Sequence, residues 1–87
     1  MELLFDKALG MVQSHGFESE VGSPGLWVRF NHGNVRIRIE NHLKNRRIDA
    51  LFTNRGLTSF SMTLKKMSDV QILETRMLTE IARIQLS

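Results

Sequence analysis

The chain has 87 residues, 41% of them hydrophobic and 24% charged, with a net charge of +3. This length holds one domain, residues 1–87, with a single thin core that hides about 60–65% of the surface of the unfolded chain. Without cysteine it has neither disulfide staples nor thiolate metal ligands, so it reads as a cytoplasmic domain rather than a secreted one.

Charge at Glu2, Asp6 and Lys7 comes too early for a signal peptide, and no apolar run approaches the roughly 20 residues that span a bilayer, so no membrane partner is expected. The positive charge is unevenly placed. From Leu26 to Lys66 nine basic residues stand against two acidic ones, a net +7, while the rest of the chain has three basic against seven acidic, a net −4. A basic sheet beside acidic helices is the arrangement this implies.

Leu4, Phe5, Ala8, Leu9 and Val12 recur at helical spacing, which predicts a helix from Glu2 to about His15, closed by Gly16 as the residue past its C-terminus. Phe17 to Gly25 alternates briefly and breaks at Gly22-Ser23-Pro24-Gly25, which predicts a loop or a very short edge strand. Leu26-Trp27-Val28-Arg29-Phe30 and Val35-Arg36-Ile37-Arg38-Ile39 alternate with period two around a His32-Gly33 turn, the pattern of a hairpin. Placing Asn31 opposite Asn34 pairs Phe30 with Val35, Val28 with Ile37 and Leu26 with Ile39 on the core face. Arg29 then opposes Arg36, and Trp27 opposes Arg38, on the other.

Two further strands, Arg47 to Thr53 and Leu57 to Leu64, flank Asn54-Arg55-Gly56, read as a three-residue loop with a left-handed glycine. Parity then puts Ile48, Ala50 and Phe52 inward with Thr58, Phe60 and Met62, and makes Glu40 oppose Arg47 and Arg38 oppose Asp49. Ser68-Asp69-Val70-Gln71 resembles a capping box, and Val70, Leu73, Met77, Ile81 and Ile84 form one stripe of a last helix. The expected fold is α+β: a two-layer sandwich in which a four-stranded antiparallel meander carries two helices on one face, in the order α-β-β-β-β-α.

His15, His32 and His42 fall at a helix end, in a turn and in a loop, without metal-ligand or catalytic spacing, so no enzyme, metal or cofactor is expected. The outer sheet face carries the candidate chemistry. Glu40 with Arg47 and Arg38 with Asp49 neutralise one another, and Trp27 stacks on Arg38. Arg29 and Arg36 face each other with no carboxylate expected nearby, an arrangement that a bound anion relieves. The candidate partner-binding set is therefore Arg29, Arg36 and Trp27, with Lys44, Arg46, Arg47 and Arg55 around them.

The segment from Leu57 to Leu64 has no charge and no proline although a meander places it at the sheet edge, where native proteins normally set a guard. Leu51 and Leu57 are read as apolar residues of the outer face. Leu51, Leu57, Ser59, Phe60 and Ser61 are thus candidates for strand pairing, foremost in a homodimer. The function expected from these features is a non-enzymatic binding or regulatory module for an acidic protein or a nucleic acid. The alternative is a compact inhibitor or adaptor, of the kind phages and mobile elements encode, acting by edge-strand pairing.

Overall fold

Alternation along the strands divides the molecule into two sides. In the computed structural model, which describes residues 2–86, one open antiparallel sheet runs in the order β1 (Glu18–Ser23), β2 (Trp27–His32), β3 (Val35–His42), β4 (Arg47–Asn54) and β5 (Leu57–Leu64). Helix α1 (Glu2–Ser14) precedes it and helix α2 (Met67–Leu86) follows. Phe30, Val35, Ile37, Ile39, Ile48, Ala50, Phe52, Phe60 and Leu64 are buried in one core with Leu4, Phe5, Ala8 and Val12 of α1 and Val70, Leu73 and Met77 of α2. Helix α1 crosses β2 and β3, α2 follows β5, and the two helices touch.

The sheet has five strands where four were expected. Residues Glu18–Ser23 pair with β2 although almost all of them are exposed, so no apolar rhythm marks them. What makes this strand is the turn. Pro24 and Gly25 occupy the central positions of a tight turn in which Leu26 N–H donates to Ser23 O at 3.0 Å, with Gly25 at φ +75°, the geometry of a proline-glycine type II turn. Leu26 lies in this turn, 46% exposed, and not in the core opposite Ile39 as expected. Gly22 is required by the close approach of β2, because a Cβ there would sit 2.9 Å from the Trp27 carbonyl oxygen.

The inner hairpins keep the expected faces but slip by two residues. The β2–β3 turn is Gly33-Asn34, so Phe30 opposes Ile37, Arg29 opposes Arg38 and Trp27 opposes Glu40. Gly33, at φ +64° in the first central position, suits a type II′ turn better than a central His32 does. Between β3 and β4, Ile39 opposes Ala50 and Glu40 opposes Asp49. A two-residue slip preserves every inward position because the side-chain period is two.

The β4–β5 turn is also tighter than expected, Arg55-Gly56 with φ +54° and +82°, both central residues left-handed as a type I′ turn demands. That turn alone would invert β5. An irregularity after Thr58 restores it, pairing Thr53 with Thr58 but Phe52 with Phe60. The Phe52 and Phe60 rings then stack at 5.1 Å.

Gly16, at φ +84°, follows α1, and its N–H donates to Gln13 O. His15 Nε2 lies 2.7 Å from Glu74 Oε2 and ties this helix end to α2. Asn41, the one buried polar residue among those described, donates from Nδ2 to Gly25 O and from its backbone N–H to Leu26 O, which anchors the β1–β2 turn to β3.

The expected capping box at Ser68 is displaced. The helix starts at Met67, and the Asp69 carboxylate reaches back to accept from the N–H groups of Lys65 at 2.8 Å and Lys66 at 3.1 Å. The Lys65 N–H first of all, with Lys66 behind it, holds the Asp69 carboxyl below its ordinary range. Because the folded value is depressed, this contribution to stability is complete above the ordinary aspartate range and is lost as pH falls through the depressed value. Wild type is expected to melt above Asp69→Asn near neutral pH, with the gap closing in acid. Thermal melts across pH check this, and a gap that widens in acid contradicts it.

Candidate functional site

The outer sheet face collects the charged positions of β1 to β4. Arg29 and Arg36, expected to oppose each other without a carboxylate, instead flank Glu20. Its oxygens lie 3.5 Å from an Arg29 terminal nitrogen and 3.6 Å from Arg36 Nε. Glu20 reaches them because the β1–β2 register shifts between Ser19 and Val21, and a bulge re-aims the side chain of its extra residue. The acidic residue came from the segment whose strand carries no apolar rhythm, so sequence reasoning left it out.

Arg38 stacks on Trp27 as expected, with its guanidinium carbon 4.4 Å from the ring centroid. Its Nε lies 3.2 Å from Glu40 Oε2. Arg29, Arg36 and Arg38 border one shallow depression of about 230 Å³ together with Leu51, Thr53 and Gly56.

The two-residue slip rearranges the neighbouring charges. Glu40 and Asp49 oppose each other directly, so the expected Glu40–Arg47 and Arg38–Asp49 oppositions do not form. His42, read as a loop residue, ends β3 and places Nε2 3.2 Å from Glu40 Oε1 and 3.0 Å from Asp49 Oδ2. Arg47 Nε stands 3.5 Å from Asp49 Oδ1, and Thr63 Oγ1 donates to the same oxygen at 3.0 Å. The signal available was the spacing of His42 two residues after Glu40, which puts both on one face if the strand is long enough.

The basic loop residues are not brought together. Lys44 and Arg46 are exposed at the β3–β4 end of the sheet, and Arg55 is exposed at the opposite end, where its N–H donates to Asn34 O. Arg55 therefore neighbours the Arg36 end of the arginine depression, while Lys44 and Arg46 lie beyond the His42 cluster, to which Arg47 belongs. Leu51 borders the depression, whereas Leu57 pairs with Asn54 at the hairpin tip and is exposed there. His15, His32 and His42 stay apart, against Glu74, Phe17 and the Glu40/Asp49 pair respectively.

No helix among the described residues is long and apolar enough to cross a membrane. Comparison with protein-family models, with curated proteins and with solved structures gives no match.

Like charges placed directly across two strands repel, and His42 is in contact with both Glu40 and Asp49, while Arg38 and Arg47 each pair with one of them. His42→Ala is expected to destabilise by a few tenths of a kcal/mol, kept small by solvent screening, and Asp49→Asn in that background is expected to recover the loss. Urea unfolding of the two single variants and the double variant measures this coupling, and strictly additive changes would show that His42 bridges nothing.

Proposed function

We propose that the protein is a small cytoplasmic, non-enzymatic binding module that takes an acidic protein surface on its arginine face. The observation that carries this is the convergence of Arg29, Arg36 and Arg38 on one depression. Arg29 and Arg36 have a shared intrachain carboxylate, Glu20, at 3.5–3.6 Å, beyond hydrogen-bonding distance. Arg36 keeps 53% of its side chain exposed. Two guanidiniums that share one loosely held carboxylate retain donors for a second, and bidentate arginine–carboxylate pairs are among the stronger polar contacts.

Trp27 holds the Arg38 guanidinium in place, which lowers the entropy lost when a partner engages it. Leu51 adds apolar contact at the border. An acidic protein suits this face better than a nucleic acid does. Glu20, Glu40 and Asp49 are interleaved with the guanidiniums and repel a continuous phosphate backbone, and the loop cations Lys44, Arg46 and Arg55 stand at opposite ends of the sheet rather than along one track. Arg55 extends the face beside Arg36, and Arg47 contributes at the other end.

Binding of a glutamate-rich peptide is expected to weaken at least about tenfold in Arg29→Glu/Arg36→Glu, the loss of one charge-assisted contact or more. Glu20→Gln is expected to strengthen it by removing the internal competitor. Fluorescence anisotropy with labelled peptide, and with single- and double-stranded DNA at several salt concentrations, reads both. Peptide binding that ignores the two reversals sinks the proposal, and tighter, steeply salt-dependent DNA binding reassigns the face to nucleic acid.

A further inference from the structure

The two edges of the sheet are built differently. The β1 edge carries Glu18 and Glu20 and a register shift between Ser19 and Val21, devices that discourage another strand from joining. Among the described residues the β5 edge has no strand beyond it, and Leu57–Leu64 carries neither charge nor proline. Past the irregularity at Thr58, residues Phe60–Leu64 pair regularly with β4, a stretch close to the usual strand length. Ser61 and Thr63 are exposed on it.

We infer that two copies of this chain join antiparallel through β5, continuing the sheet across a twofold axis. In such an isologous pair each residue meets its own sequence reversed, so any charge near the axis would meet its own kind. A strand without charge is what self-pairing tolerates. With the axis normal to the sheet, both helix layers lie on one side and facing residues must share a face. A register centred on Ser61 satisfies this, setting Phe60 against Met62 of the second copy.

Helix α2 lies along the same edge. Arg76 covers the Phe60 ring at 4.4 Å, and Glu80, beside Ser59, pairs with Arg83. These contacts hold the Arg76–Glu80–Arg83 side of α2 over the edge strand. A second α2 then runs antiparallel beside it across the same axis. Ile72, one turn before Arg76 and 49% exposed, gains apolar cover in the same place. The assembly presents both arginine faces in one direction, which doubles the contact offered to a repetitive acidic partner.

Sedimentation equilibrium of the wild-type chain from micromolar to millimolar concentration is expected to show twice the monomer mass. Ser61→Lys and Ser61→Glu are each expected to weaken the dimer at least tenfold, and an equimolar mixture of the two to restore it, with circular dichroism confirming that both variants fold. Arg29→Glu/Arg36→Glu is expected to leave the dimer intact, which separates this interface from the anion-binding face. A monomer at every concentration, a Ser61→Lys dimer as tight as wild type, or a mixture that stays monomeric overturns the inference.

Discussion

One constraint governs this molecule: facing residues on neighbouring strands must share a face, and only one face of the sheet is covered. Ile37, Ile39, Ile48, Ala50 and Phe52 have to point together toward α1 and α2, so every strand is locked in phase with its neighbours even where its register is free to slide. The β4–β5 hairpin shows how strong the requirement is. Its type I′ turn would bring Leu57, Ser59 and Ser61 inward, and the chain accepts an irregularity after Thr58 to return Phe60 and Leu64 to the core. Burying a phenylalanine and a leucine side chain contributes several kcal/mol, about 1.5–3 each, which outweighs the loss of one ladder contact of about 1 kcal/mol.

The same constraint creates the outer face. Because the apolar positions are committed inward, Trp27, Arg29, Arg36, Arg38, Glu40, Arg47, Asp49 and Leu51 are left on the other side with no layer above them. Their mutual contacts, at 3.2–3.6 Å for the arginine–carboxylate pairs, are those of exposed ion pairs that contribute little to folding. On the proposed function, a surface whose charges are balanced within the chain yet weakly held suits exchange, because a partner's carboxylate can replace an internal one at small net cost.

The helices close the fold through different means. Helix α1 relies on its buried stripe and on Gly16, whereas α2 also reaches outward to the edge strand through Arg76 and Glu80. This second role leaves α2 with one flank over the core and another over the edge strand β5. The β1 strand at the opposite margin depends on its Pro24-Gly25 turn and on Asn41, which holds that turn from β3.

The period-two rhythm of the central strands and the helical spacing of both ends determined the α+β class, the antiparallel meander, the inward set apart from Leu26 and Thr58, and the outward arginines, because each follows from a local pattern and the need to bury one face. Trp27 beside Arg38 was legible for the same reason. What only the tertiary structure decided was everything a two-residue slip leaves unchanged in that pattern: which charges meet across the strands, the opposition of Glu40 and Asp49, and the bridging place of His42. It also decided the fifth strand, whose exposed residues carry no hydrophobic signal, and with it the position of Glu20. Faces are set by alternation, which the chain carries residue by residue, whereas partners are set by turn geometry and bulges, whose energies are settled only when the strands pack.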